Sequence, residues 1–466
     1  MNKKIKILIF LAIIVALIPL GYKQYINQII ISKINSLNDK GFVVSKEKDT
    51  SGYLSTVQSY KLVISNSDTI YDAFLSKLFN PGEEKIIKKV LSSSNGSEMR
   101  VDLNILNFPT SHPDAISIYL ISLPSNLMSK GKSDQLLQQI SKFLKDKGVG
   151  ESISINALGK VTSIKLKNID KQFNIKKNSL EIKLKDYVTD IKRFDLYNYN
   201  YAFKITNKLF DLKTISNARS KFSLGYKNLK CNLDRENIYN YSMLCNLDKF
   251  YLKAKKYKEQ TLVLSSIFGS SSSSLKKNSI NYMFKYKIKD INFNSSSKYR
   301  KEGLSVKNLV YKGNISGIDK ELIDEINKLS YVNSKQNLNG QYKDIIQKIL
   351  NHGFVFDITE LSTSSTNVLA SNKTISIGAV KVDMSLKLNK NDMQFFKNTK
   401  PRKILGYITM RVNLRMKKKD YQFFNGLNKR KKVGRLSKMV KYQGDDAVFV
   451  LKFSNGKLSI NNQRVF

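Results

Sequence analysis

From Val380 to Leu388 apolar residues take every second position. Val380, Val382, Met384, Leu386 and Leu388 alternate with Lys381, Asp383, Ser385 and Lys387. Ile408, Met410, Val412, Leu414 and Met416 alternate in the same way with Thr409, Arg411, Asn413 and Arg415. Successive side chains of a strand point to opposite faces, so each segment presents one apolar face and one largely basic face. Ile375 and Ile377 are out of phase with Val380, and Gly378-Ala379 takes up the slip as a bulge or bend. Shorter segments of the same kind are Ile164/Leu166, Leu180/Ile182/Leu184 and Tyr282/Phe284/Tyr286. Near the carboxy terminus, Asn455-Gly456 separates two apolar runs; a type I′ turn needs positive φ at both central residues, and this pair supplies them most cheaply. These features predict a mainly β protein of the α+β class, built on a large antiparallel β-sheet.

Amphipathic helices are interspersed, over Thr69–Phe79, Ser125–Lys147, Asp319–Leu329, Tyr342–Asn351, Asn391–Lys397 and Tyr421–Lys429. In the third, Leu322, Ile323, Ile326 and Leu329 share one face. Helices that do not alternate with every strand argue against a doubly wound parallel sheet. The run Ser265–Ser274 has the composition of a loop or linker. The expected organisation is therefore 1–32 as cytoplasmic stub, transmembrane anchor and stem helix, and 33–264 as the first β-rich part of an exported ectodomain. The linker 265–274 leads to a second β-rich part, 275–466, that ends in a hairpin.

Met-Asn-Lys-Lys-Ile-Lys opens the chain, and an uncharged segment from Ile7 to Tyr22 follows. Lysines before an apolar segment hold that end in the cytoplasm. The segment is slightly short of the roughly 20 residues of a usual span, but Lys6 and Lys23 can snorkel and Gln24–Ile31 can continue the helix. Ile18-Pro-Leu-Gly21 offers no convincing A-x-A-like cleavage site, which favours an uncleaved anchor over a signal peptide. The reading is a single-pass inner-membrane protein with a carboxy-terminal periplasmic ectodomain. Cys231 and Cys245 fit an oxidising compartment: the polar turn Asp234–Asn240 between them lets flanking strands pair and brings the sulfurs together.

The 80 Lys and Arg against 37 Asp and Glu give a formal charge of +43. Such a field attracts nucleic acid, anionic lipid or lipopolysaccharide. Export argues against nucleic acid as a partner. The densest basic patches, Arg415-Met-Lys-Lys-Lys419 and Lys429-Arg-Lys-Lys432, are solvated faces or membrane-near contacts. The candidate contacts to an anionic surface are therefore Arg411, Arg415, Lys417, Lys418, Lys419, Lys429, Arg430, Lys431 and Lys432.

Nothing in the sequence assembles into catalytic or metal chemistry. His112 and His352 have one acid each nearby, Asp114 and Asp357, and no second His or Cys. His112 lies in a turn by composition and His352 looks like a helix end, and both read as structural residues rather than catalysts. There is no Walker loop, no G-x-S-x-G elbow and no G-x-G-x-x-G. Asp445-Asp446 and Glu83-Glu84 are adjacent, and neighbours on a strand point to opposite faces, so neither pair reads as an acid–base dyad. The expectation is a protein that is not an enzyme and carries no cofactor.

Ser51-Gly-Tyr-Leu-Ser-Thr56, the helix-to-strand step Ile349-Leu-Asn-His-Gly-Phe-Val-Phe-Asp-Ile-Thr-Glu-Leu361 and the closing Leu451–Gln463 resemble elements of the YdgA-like family. That family comprises inner-membrane-anchored periplasmic proteins of Gram-negative bacteria. The family's His-Gly-Pro element has only Ser111-His-Pro113 as its nearest counterpart. The resemblance implies a large antiparallel β architecture in the periplasm and carries over no catalytic residues. The layout of an anchor followed by long amphipathic strands is also similar to that of AsmA-like lipid-transfer proteins. Two functions are therefore expected. One is cell-envelope organisation or maintenance through protein binding, with an envelope protein or a second copy in a homodimer as partner. The other is binding or transfer of an anionic lipid or lipoprotein along a groove of amphipathic strands.

Overall fold

The computed structural model describes residues 17–76, 81–124, 135–175, 178–195, 198–216, 220–297, 300–330, 338–370, 373–391, 405–427 and 439–465. The chain divides into two compact units, Met1–Phe194 with Phe203–Thr214, and Asp195–Ala202 with Ile215–Phe466. Strand pairing is antiparallel in both, as the alternation predicts.

In the first unit, β1 (Phe42–Asp49), β2 (Ser55–Ile64), β3 (Glu98–Leu106), β4 (His112–Ser122), β5 (Gly150–Ile155) and β6 (Val161–Leu166) each pair with the next. β6 continues onto β9 (Tyr187–Asp195), while β7 (Ile169–Ile175) and β8 (Asn178–Lys185) form a hairpin. β10 (Asn200–Ser216) pairs with β8 and β9. A helix over 17–35, α1, contains a π-helical turn at Asn27–Ile31. It lays Tyr22, Ile26, Ile30 and Ile34 against Tyr60, Leu62, Val101, Leu103, Ile105 and Ile155. Residues four apart stack on one helix face, so the isoleucines of a segment that reads as weakly polar form an apolar stripe. The helix continues past 32 to Asn35, and this stripe makes α1 one wall of the unit's core. Most of the Ile7–Tyr22 segment lies outside the described residues. Among the described residues no helix is long and apolar enough to cross a membrane.

Among the described residues three further helices belong to this unit: α2 over 67–75, α3 (Pro81–Ser92) and α4 (Gln135–Lys145). Asn66 opens α2 by accepting the backbone N–H groups of Asp68 and Thr69. α3 is absent from the sequence-based expectation. Proline as its first residue, Glu83-Glu84 in the first turn and the i, i+4 pairs Ile86/Val90 and Ile87/Leu91 are the local signals that could have marked it.

The second unit is built on five long strands, β11 (Ser220–Arg235), β12 (Tyr241–Lys255), β13 (Glu259–Lys276), β14 (Ser279–Ser296) and β15 (Lys301–Asp319), joined as an antiparallel meander. β15 pairs with β16 (Phe354–Thr363) along one half and with β17 (Ser365–Ala370) along the other. β17 pairs with β18 (Lys373–Ile377). β16 leads through β19 (Val380–Leu388) and β20 (Ile408–Lys417) to β22 (Asp446–Ser454). The far edge of β22 carries β21 (Lys441–Gln443) and β23 (Lys457–Ile460), and β23 pairs with β24 (Gln463–Arg464). Among the described residues three helices complete the unit: α5 (Lys320–Ser330), α6 (Leu338–His352) and α7 (Lys418–Leu427). The helix expected over 391–397 falls outside the described residues apart from Asn391.

The Ser265–Ser274 run, expected as a loop or linker, lies inside β13 and is hydrogen-bonded to β12 on one side and β14 on the other. Serine has a weak strand preference of its own, so its state here is set by two partner strands that pair with the run on either side of Ser266. The break between the two units falls at 195–215 instead.

A second feature crosses all five long strands. The apolar alternation slips by one residue at Tyr226-Lys-Asn-Leu229, Leu247-Asp-Lys-Phe250, Leu264-Ser-Ser-Ile267, Ile288-Lys-Asp-Ile291 and Val306-Lys-Asn-Leu309. The register sets these steps side by side. Asn228, Ser266 and Asn308, on alternate strands, have positive φ values of 54°, 49° and 53°. The result is a crease running across the sheet. A slip on one strand alone would turn its apolar residues to the wrong face; because all five slip together, one face stays apolar on both sides of the bend.

Candidate ligand-binding face

The apolar face of the second unit is ordered in rows by register. One row runs Cys231–Cys245–Gly269–Tyr286–Tyr311, a second Met243–Ser271–Phe284–Gly313, and a third Tyr241–Ser273–Tyr282–Ile315. Glycine and serine on β13 thus form a low floor between larger side chains on β12 and an aromatic wall on β14. Phe284 is buried beneath the rings of Tyr282, Tyr286, Tyr311 and Phe356, with centroids 4.9–6.4 Å away. Gly313 makes this packing possible: a Cβ there would lie 2.7 Å from Cζ of Phe284 and 2.2 Å from the carbonyl oxygen of Asp357.

Burial pushes the Tyr241 hydroxyl up to about 12, helped by its hydrogen bond to Tyr282, and burial likewise raises Tyr286. Tyr241 and Tyr286 therefore stay protonated and uncharged at neutral pH.

This face is only half covered. Among the described large apolar side chains that β11–β15 turn towards it, Ile280 and Phe284 are buried, whereas most others are half-buried. Tyr286 and Leu304 retain 39% and 38% of their surface. At one end of the strands, α5 and α6 pack together and are tied by Lys348 to Glu325 at 2.7 Å. The Tyr239 hydroxyl donates to Asp324 of α5.

The sequence-based basic candidates divide between strand and helix. Arg411, Arg415 and Lys417 alternate on the exposed face of β20, and Lys418 and Lys419 begin α7. Lys429, Arg430, Lys431 and Lys432 lie outside the described residues. Arg411 donates to Asn413 at 3.3 Å, which in turn donates to Asp383; Lys417 pairs with Asp446 at 3.0 Å. Sequence reasoning missed the partner of Arg415. Lys381 of β19 is directly opposite it, and both line a cavity of about 430 Å³ together with Asn308, Ser362, Lys417 and Asp446. Lys381 already stands out on the polar side of the alternating run, but which cation faces it depends on the register between two strands with residues 389–407 between them.

Cys231 and Cys245 are register partners on β11 and β12, with sulfurs 2.19 Å apart and Cα atoms 4.1 Å apart, so the expected disulfide is formed. The histidines are separate. His112 is not in a turn but opens β4, buried, with its Nε2 2.9 Å from the Tyr22 hydroxyl. His352 ends α6, 3.5 Å from Asp319. Among the described residues no group of three or more His, Cys, Asp or Glu is placed to hold a metal ion. No protein-family model, curated protein or solved structure matches the chain.

Proposed function

We propose that the protein is a non-enzymatic lipid-handling protein of the cell envelope, whose β11–β15 sheet receives the acyl part of an anionic amphiphile. The observation that carries this reading is the half-covered apolar face: a crease keeps it continuous along strands of 15–19 residues, and small residues on β13 hollow its centre. Burying apolar surface is worth roughly 25 cal/mol per Å², so a ligand chain laid along the floor gains from contacts that the fold leaves unmade. Protonated Tyr241 and Tyr286 present hydroxyls without charge. The high net positive charge favours anionic headgroups, at roughly 1 kcal/mol per lysine or arginine near such a surface. In this reading the apolar amino-terminal segment holds the chain at the inner membrane with the two units in the periplasm. That placement agrees with the resemblance to YdgA-like proteins. An open apolar face also fits envelope organisation through protein binding; the low floor of Gly269, Ser271 and Ser273 beside an aromatic wall favours the amphiphile.

The test is mass spectrometry of the organic extract from the purified full chain, alongside binding of a fluorescent fatty acid. Co-purifying lipid is expected for the wild type, and Leu264→Glu and Ser271→Phe should each lose it while keeping the strand signal in circular dichroism. An extract empty of lipid, with no binding of the fluorescent probe, would overturn the reading.

A further inference from the structure

We infer that the polar face of the second unit carries an oxyanion site, centred on Lys381 and Arg415, that takes a phosphoryl group. The residues come together through register. Ser362 of β16 pairs with Lys381 of β19, which pairs with Arg415 of β20, so three strands contribute one row. On both β19 and β20 this row lies on the exposed side, opposite the apolar alternation, and the site is therefore independent of the amphiphile reading.

Like charges directly opposite each other on paired strands are destabilising. Other cation pairs also face each other on these sheets, among them Lys221–Lys255, Lys227–Lys249, Lys285–Lys312 and Arg411–Lys452. Lys381 and Arg415 differ in lining a cavity together, whereas several other cations are held by acids. Arg100 and Lys147 share Asp102 at 2.7 and 3.1 Å, Lys183 and Lys213 share Glu181 at 2.9 and 3.3 Å, and Lys417 holds Asp446. Among the described residues neither Lys381 nor Arg415 is paired with a carboxylate. Nη2 of Arg415 donates to the neutral amide oxygen of Gln443 at 3.3 Å, which orients the guanidinium without neutralising it. The row therefore keeps a repulsion that a bound anion would remove. The cavity before it has about 430 Å³, room for a phosphoryl group with its ester substituent. Its charged lining is Lys381, Arg415 and Lys417 against the single carboxylate of Asp446, an excess of positive charge. Val310, opposite Ser362 in the same row, adds apolar wall, which strengthens attraction to an anion by lowering the local dielectric.

The chemistry selects the ligand class. A guanidinium fork binds two oxygens of one oxyanion, and an ammonium supplies a compact charge to a third. Donors arriving from two strands suit a tetrahedral phosphoryl group better than a planar carboxylate.

The test is thermal unfolding of the full chain with rising inorganic phosphate, against chloride at matched ionic strength. Phosphate is expected to raise the wild-type midpoint beyond chloride. Lys381→Gln and Arg415→Gln should weaken the response by about tenfold or more in phosphate concentration, the scale of a lost charge-assisted hydrogen bond. Arg411→Gln, on the same strand face but outside the cavity, should keep it. Without phosphate, Lys381→Gln should melt at or above the wild-type midpoint, because it removes the like-charge pair; this separates loss of binding from loss of folding. Vesicles of phosphatidylcholine with phosphatidic acid identify the source. Binding that inorganic phosphate displaces in the wild type, and that Lys381→Gln weakens, assigns the site to a lipid phosphate. Vesicle binding indifferent to Lys381→Gln, with the phosphate response intact, assigns it to a soluble phosphate. A response equal to that in chloride, or one that Arg411→Gln reduces as much as Lys381→Gln, overturns the proposal.

Discussion

Asn461 shows how much one side chain can hold. It is buried, has a φ of 49°, and sits where β21 and β23 leave a gap along the edge of β22. Its Oδ1 accepts the N–H of Val450 at 2.9 Å, and its Nδ2 donates to the carbonyls of Val448 and Met439 at 3.0 and 2.6 Å. Replacing it with alanine leaves these backbone groups without partners. Asn461→Ala should lower the unfolding free energy by about 2 kcal/mol, the usual cost of stranded buried polar groups, measured by urea denaturation. His112 makes a second prediction. Burial lowers its pKa, so folding favours the neutral ring. Its stabilising contribution is complete above the unfolded-state value of about 6.5 and is lost as pH falls through the lower folded-state value. The wild-type melting temperature should therefore drop on acidification across that window, and that of His112→Gln should drop less; parallel curves would exclude His112 as the cause.

Among the elements, the hairpins are the best specified. Asn455-Gly456 forms the turn between β22 and β23 with φ values of 47° and 70°, both positive as a type I′ turn requires. The strands it joins are not a tail. Ala447, Val448, Phe453 and Ile460 are buried, and Tyr421 of α7 packs edge-on against Phe449 at 5.2 Å. Deleting 447–466 uncovers β20 along its length and should lower the melting temperature of the second unit; an unchanged profile would contradict the packing. The β11–β12 hairpin carries the disulfide, whose cysteines are 14 positions apart. In the chain-entropy account a closed loop of that size contributes about 3 kcal/mol. The Cys231→Ser, Cys245→Ser double variant should lose about that much in denaturant titration under oxidising conditions, and reductant should bring the wild type to the same value.

For the whole molecule, charge and the open apolar face act together. A formal +43 spread over 466 residues steers the chain towards anionic surfaces. Cosedimentation with phosphatidylglycerol-containing vesicles should therefore be strong at low salt. It should fall steeply as the screening length shrinks from about 10 Å at 0.1 M to about 3 Å at 1 M, while phosphatidylcholine vesicles retain little protein throughout. Retention insensitive to salt would mean that apolar insertion, not charge, holds the protein there. The crease belongs to this scale as well. Each three-residue step is visible in the sequence, but no single one distinguishes a bend from a local irregularity. Only their alignment in register makes a feature of the sheet.

Local physics wrote much of this protein into its sequence. Period-two alternation at 380–388 and 408–416 determined strands β19 and β20 with their apolar and basic faces, because alternation depends only on the pleat. The Asn-Gly turn and the cysteine pairing also follow from short stretches whose geometry closes on itself. Four other features were decided by tertiary structure. The serine run became a strand because β12 and β14 bond both its edges. α1 entered the core because β2–β4 and β5 present an apolar surface to its isoleucines. Asn461 acquired its role from a gap between two distant strands, and Lys381 met Arg415 through register. Each rests on contacts between residues remote in sequence, and the free energy of such contacts depends on which surfaces the rest of the chain brings alongside.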